Sequence, residues 1–539
     1  MISNLGGFIQ AVAASWLMLD LTGSPAWVSA MVASTTLPLL FLALPSGALA
    51  DLANRRTMLL VAQSIMGGAV AVMAGVSFAD KMTPPLLLAL GLVVGVGVAL
   101  NAPVWQSVVP DLVPRQIVAS AVALNSASFN AARAVGPALG GLLVVTAGPE
   151  AAFAVNAVTF VLVIGVILTF PSGRFSARED STLLSAMALG IRYVRFTPAL
   201  RWLLGLSAGF ALTSMALQAL LPNLTQDVLE GGAALYGILL GAMGVGALAG
   251  AATRRRFGME FGRRTVATAV AMYGAVGIGI GLSPFPWLTA VLMAAAGLCW
   301  VWALATLNAT IQILSHPWVR GRAMSLYLLS FTGVVPLGSL LAGSIADHFG
   351  IQEAILGLSA GALLVGLSAL RMPIIGIDDV EAPHTAEHWD FAPHGDMEIP
   401  GGPVLVMNTW IIDEDFLSEF LEAMTEVRLV RLRTGAYRWR LYRDFDDPRR
   451  MTEAWNLASW EDHLHQHQRI DEAAAEVIRR ARSFDTGDGP VSRHLVALDV
   501  TDPSHHPDWP DLVARHHDAH QTDGSIPLLS VEKRPEDRG

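Results

Sequence analysis

The chain has one cysteine, Cys299, in 539 residues. A single thiol excludes an intramolecular disulfide and any thiolate metal cluster. Charge is scarce too: 15% of residues are Asp, Glu, Lys or Arg, against about 25% in soluble domains. The shortage is uneven. Residues 1–371 are almost wholly apolar, and residues 372–539 are polar. That contrast implies a polytopic membrane protein with a soluble tail. No basic segment precedes the first apolar run, Ile2 to Leu21, which contains Gln10 and Trp16. The run is therefore expected to be a retained span, not a cleaved signal peptide. No Asp or Glu lies near the centre of any apolar run, so no carboxylate relay for protons is visible at membrane depth. The net charge of −10 arises mainly in the tail and says little about partners.

What the chain has in abundance is apolar runs. They recur at about 2–21, 26–50, 57–79, 85–109, 119–147, 151–170, 199–222, 233–253, 264–283, 287–313, 323–346 and 351–371. Each is long enough to cross a bilayer. The expected organisation is an N-terminal six-helix bundle over 1–170, an inter-bundle loop over 171–198 and a C-terminal six-helix bundle over 199–371. Basic residues collect after alternate spans: Arg55 and Arg56, Arg115, Arg174 to Arg195, Arg254 to Arg264, Arg320 and Arg322, and Arg371. The other loops carry Asp20, Asp80, Glu150, Asp227, Glu230 and Asp347. This asymmetry predicts that both termini are cytoplasmic, in the plasma membrane.

One stretch is out of place in a lipid-facing helix. Asn130 to Gly141 holds Arg133, Gly136, Pro137 and Gly140 inside the fifth run. A charge at mid-membrane costs about 2.5–3.5 kcal/mol on insertion scales. Pro137 removes a backbone donor, and Gly136 and Gly140 leave a bare face for another helix. A helix lining a wet cavity accommodates all of these. The competing reading puts Arg133 at the cytoplasmic end, with its head reaching the interface. Polar residues within other spans extend the candidate substrate pathway: Gln10, Trp16, Asn101, Gln106, Asn130, Arg133, Gln218, Asn308 and Gln312, with Trp300 and Trp302 nearby. Each alone is more often a helix-helix hydrogen bond. The two halves echo one another, since Asn101 to Gln106 and Asn308 to Gln312 both end a span before a basic turn. Two matched halves suit a transporter that rocks about a central site.

The turn Gly47-Ala-Leu-Ala-Asp-Leu-Ala-Asn-Arg-Arg56, the Gly136-Pro137 stretch and the six-plus-six layout resemble the major facilitator superfamily. Within it, Ser3 to Gly6, Trp16 to Pro25 and Gly47 to Arg56 resemble the transmembrane secretion effectors, the enterobactin-exporter-like group. The resemblance implies an all-α fold of twelve helices that exports a small amphipathic, drug-like or siderophore-like molecule by alternating access and proton antiport. It implies gating roles for Gly47, Asp51, Arg55, Arg56, Gly136, Pro137 and Gly140. It implies no enzymatic activity, cofactor, metal or nucleic-acid partner, only substrate, membrane lipid and coupled protons. The chain departs from the pattern at Leu52 and Asn54, where arginine and glycine are usual, and lacks the arginine often found in span four. It also begins inside the first span, so its start is read as misplaced or truncated.

Residues 372–402 read as a Pro- and Gly-containing linker. Residues 403–500 then alternate as a strand at 404–411, a helix capped by Asp413 to about Val427, strands at 437–443 and 451–458, a helix from Trp460 to Arg482 and a strand at 493–500. This βαββαβ order predicts a small ferredoxin-like α+β domain. It resembles the antibiotic-biosynthesis monooxygenase-type domains, which implies self-association. Some such domains degrade haem with Asn, Trp and His, roles for which Asn408, Trp460 and His463 stand in order; a regulatory or assembly module is the preferred reading. The alternative for the whole chain is a membrane-anchored enzyme or regulator whose tail carries the activity. His463 and His467 stand one helical turn apart, which is a weak metal signal. Residues 501–539 are expected to be disordered.

Overall fold

A computed structural model describes residues 2–52, 54–111, 117–169, 191–256, 263–315, 319–371, 403–487 and 489–497. Two compact units emerge. The first comprises residues 1–183, 202–313 and 324–377; the second comprises residues 184–201, 314–323 and 378–539.

The first unit is a bundle of apolar helices. Its elements are α1 (Ile2–Thr22), α2 (Pro25–Leu52), α3 (Arg55–Phe78), α4 (Pro84–Asp111), α5 (Val118–Leu168), α6 (Pro198–Ala219), α7 (Ala233–Arg256), α8 (Arg263–Leu282), α9 (Pro286–Leu314), α10 (Arg320–Thr332), α11 (Val335–Phe349) and α12 (Ile351–Ala369). Local chemistry sets several boundaries. Proline opens α2, α4, α6 and α9, where its missing N–H has no helical partner to lose. Asn54 accepts from the backbone N–H groups of Arg56 and Thr57 and so caps α3. Gly148, at φ 82° and ψ 163°, breaks α5 into two helices, which only a residue without Cβ does cheaply.

Eleven described helices are long and apolar enough to cross a membrane, counting α5 beyond Ala131 as one and α10 with α11 as one. With the break at Gly148 the path comprises twelve spans, as the apolar runs predict. Two helix pairs carry most of the described contact between the halves: α5 packs on α7, and α2 packs on α11. Span five with span eight, and span eleven with span two, are the same pair exchanged by a twofold. Small residues make this possible. A Cβ on Gly237 would stand 2.6 Å from the Pro137 carbonyl oxygen, so the α5–α7 backbones are in direct contact. At the far end of the other pair, Asp347 accepts from the Ser24 hydroxyl at 3.3 Å and from the Ala26 N–H at 3.2 Å. A carboxylate from one half thereby satisfies the helix N-terminus of the other.

The second unit contains a four-stranded antiparallel sheet in the order β2-β3-β1-β4, with β1 Val404–Ile411, β2 Arg438–Arg443, β3 Arg450–Leu457 and β4 Val491–Val496. Its helices are α13 (Leu417–Thr434), α14 (Trp460–Gln468) and α15 (Glu472–Arg482). The α+β prediction holds, with two corrections. The helix from Trp460 is interrupted: Arg469 closes α14, and Asp471 restarts the chain by accepting from Ala474 N–H at 2.6 Å. Asp413 precedes a short 3-10 turn and makes no side-chain cap bond, and the helix after it runs on to Thr434. Strand β1 alternates buried and half-buried residues, which places one face on a core of Trp410, Phe420, Met424, Val427 and Met451. Within the inter-bundle loop, residues 191–195 are helical, and residues 171–190 lie outside the described residues.

Candidate functional site

Arg133 lies midway along α5 between Val118 and the break at Gly148. Its guanidinium carbon sits 5.8 Å from the centroid of Trp300, itself the midpoint of α9. Around Trp300 three further rings close in: Phe210 at 5.4 Å, Tyr273 at 5.8 Å and Phe331 at 5.7 Å between centroids. These rings come from α6, α8 and α10, so a cation from the first half faces an aromatic cage built by the second. A cation over an aromatic face gains about 0.5–2 kcal/mol. That falls short of the roughly 2.5–3.5 kcal/mol a mid-membrane arginine costs. Among the described residues no carboxylate makes up the difference. Trp300 is 4% exposed, and its Nε1–H has no acceptor. A buried donor left unpaired costs about 1–3 kcal/mol. Arg133 itself retains some accessible surface, as a cavity-lining side chain does.

The other sequence-predicted pathway residues are distributed. Gln10 is buried and accepts from Asn156 Nδ2, while its own amide points to Met73 Sδ at 3.8 Å. Trp16 stacks on Tyr236 of the other half at 6.1 Å. Asn101 accepts from Gln63 at 3.1 Å. Gln312 donates to Asn308 one turn earlier on α9. Gln218 has a buried Nε2 without a partner. Trp302 is turned away from the cage and donates to the Gly250 carbonyl at 3.0 Å. The side chains of Gln106, Asn130 and Asp51 lie outside the described residues, and of Gly47 only its place in α2 is described. Arg56 donates to the Leu168 carbonyl at 2.6 Å, which ties the start of span three to the end of span six; Arg55 opens the same helix. Gly136 and Gly140 press against Phe8 and Ile9 of α1, and Pro137 is buried beside Gly237. Sequence reasoning missed Phe210, Tyr273 and Phe331. Their signal was available, because Tyr273 is a lone tyrosine at the centre of an apolar span.

A family model described as transmembrane secretion effector matches residues 1–501. The chain belongs to that family. The Multidrug efflux pump Tap of Mycobacterium tuberculosis H37Rv is 28% identical over 421 residues, which cover 75% of this chain and 96% of Tap. The Staphyloferrin A transporter of Staphylococcus aureus is 23% identical over 364 residues, covering 66% and 90%. Among solved structures, a bacterial homologue of the human lysosomal transporter Spinster, inward-facing and unoccupied, aligns with TM-score 0.57 at 15% identity, over 71% of this chain and 97% of that one. The nucleoside transporter NupG (D323A mutant) aligns with TM-score 0.55 at 13% identity, over 69% and 98%. The major facilitator fold is thus shared, and this secretion effector is a multi-pass membrane transporter.

The effector's tail holds a separate polar cluster. Glu453 is fully buried and accepts from Arg431 Nε at 3.1 Å and Trp439 Nε1 at 2.8 Å, with Asn408 Nδ2 at 3.4 Å. Arg431 lies over Trp455, 4.1 Å from its centroid. Beside them a cavity of about 20 Å³ is lined by Asn408, Arg431, Trp455, His463 and His467, which is room for about one water. Trp460 packs on the His463 ring at 5.3 Å. So Asn408 and His463 do meet, across a space too small for a cofactor. His463 and His467 face each other with Nε2 atoms 3.3 Å apart. Among the described residues no three His, Cys, Asp or Glu are placed to hold a metal ion.

Proposed function

We propose that this secretion effector exports a small amphipathic molecule of the drug or siderophore class by alternating access, in exchange for protons. The observation that carries the reading is the cage at mid-depth. A cation from the first half and aromatic rings from the second meet where the two reciprocal inter-half pairs, α5–α7 and α2–α11, allow the halves to rock. The positive-inside pattern supports cytoplasmic termini and tail in the plasma membrane. The pathway is taken to run past Arg133 and the amides of Asn101, Asn308 and Gln312. Gly47, Asp51, Arg55, Arg56, Gly136, Pro137 and Gly140 are taken as gate elements. Proton exchange rests on family resemblance, and the tail's half-buried sheet face, with Leu405, Met407 and Ala454, suits self-association.

Cells that lack their own efflux pumps are loaded with neutral, cationic and anionic dyes, Nile red among them, and then energised. Cells expressing the full chain should clear at least one dye faster than cells with an empty vector. Nigericin, by collapsing the pH gradient, should stop the difference, and Arg133→Ala should abolish it without lowering membrane insertion. Equal clearance with and without the protein across the panel would reject export. Clearance that persists after the gradient is collapsed would reject proton exchange.

A further inference from the structure

We infer that the Arg133 cage is a recognition site for planar aromatic anions, a class that deepens and rests on the transporter reading above. Three independent features specify the ligand. The first is charge: Arg133 stands at mid-depth with no carboxylate beside it among the described residues. An anionic group accepts charge-assisted hydrogen bonds from guanidinium, and the planar fork suits a carboxylate or phenolate edge. A cationic ligand meets like charge in a medium of low dielectric.

The second is an unused donor. Trp300 Nε1–H is buried without an acceptor and belongs to the ring over which Arg133 sits. An acceptor oxygen between guanidinium and indole satisfies both at once. By contrast the Tyr273 hydroxyl is already committed, donating to the Ser214 carbonyl at 2.9 Å. It therefore contributes a ring face and not a hydrogen bond.

The third is shape. Phe210, Tyr273, Trp300 and Phe331 lie with centroids 5.3–6.4 Å apart, tilted or edge-to-face. Such a wall accepts an aryl ring by offset or edge packing. An aliphatic anion would gain the charge contact and forgo the wall; a neutral arene would gain the wall and leave both donors unmet.

The test measures equilibrium binding to full-length protein in lipid nanodiscs with no gradient. The probes are naphthoate, naphthylmethylammonium and naphthalenemethanol, which differ in charge at nearly constant size. Naphthoate should bind saturably and at least about tenfold tighter than the other two. Arg133→Gln should weaken naphthoate by about tenfold or more and leave the neutral probe unchanged, while Arg133→Lys should restore the order of preference. Trp300→Phe should weaken naphthoate several-fold with the order kept. Equal binding of the three probes, preference for the ammonium, or unchanged naphthoate binding in Arg133→Gln would each overturn the inference. If cells expressing the full chain still clear dye, only this inference falls; if clearance also fails, the transporter reading falls with it.

Discussion

At the scale of single residues, the buried charges in this chain are treated in opposite ways. Glu453 is enclosed by three donors, and it falls at the same strand parity as Met451, Trp455 and Leu457. That parity is readable: a carboxylate among inward-facing apolar residues needs a buried partner. Arg133 was equally legible as a misplaced charge. Its neighbours were not, because nothing local ties position 133 to positions 210, 273 or 331. The histidines make a titration argument. Burial, then the neighbouring His467, His494 and Arg431, hold His463 down to about 2; burial and Arg431 hold His467 down to about 4. Free histidine titrates near 6.5. Both folded values lie below the unfolded one, so the unfolded tail binds protons the folded tail refuses. The tail's stability is therefore full above about pH 6.5 and is lost as pH falls below it. Hydrogen exchange of residues 404–496 in the full chain should accelerate from about pH 7 to about pH 5 beyond the intrinsic change in exchange rate. A His463→Leu, His467→Leu variant should flatten that dependence.

At the scale of elements, helix number and most helix starts were visible, since prolines and the Gly148 break mark them in the sequence. The interruption between α14 and α15 was not. No Gly or Pro lies between Arg469 and Asp471, and the restart depends on one aspartate capping in context. The strand order also follows from the βαββαβ succession, while the register needed the structure. The α5–α7 contact is among the tightest backbone approaches in the membrane unit. Gly237 and Gly141 oppose each other, and a Cβ at either would enter backbone of the other helix. Backbone cannot step aside as a flexible side chain does. Gly237→Val should therefore insert and fold in its own half yet clear dye at least about tenfold more slowly than the parent. Gly232→Val, where a Cβ meets nothing within 4 Å, is the matched control. Equal loss in both variants would mean that β-branching in this region, and not the helix contact, is responsible.

At the scale of the whole molecule, the second compact unit is not the tail alone. It includes residues 184–201, the end of the connection between the two six-helix halves, and residues 314–323, between α9 and α10. The attachment has a definite chemistry. Helix α13 ends at Gly435, which takes φ 142°. Two arginines serve the carbonyls exposed there: Arg469 Nη1 donates to Thr434 O at 2.9 Å, and Arg192 Nη1 donates to Gly435 O at 2.6 Å. Cations are favoured at a helix C-terminus by both the free carbonyls and the dipole. Arg192 also lies 6.0 Å from the Tyr437 ring, and Phe196 packs against the core of Val404, Val406, Leu432 and Trp455. The end of the chain that joins the halves is thus built into the tail's own core. A charge-assisted hydrogen bond contributes about 1.5–3 kcal/mol, and a partly buried phenylalanine about 1–2 kcal/mol. Arg192→Ala with Phe196→Ala should raise hydrogen exchange in residues 404–435 by more than about tenfold. Dye clearance should change several-fold in either direction if the tail biases the rocking of the halves, with naphthoate affinity unaltered. A loosened tail with unchanged clearance would show that it rides on the connection without loading it.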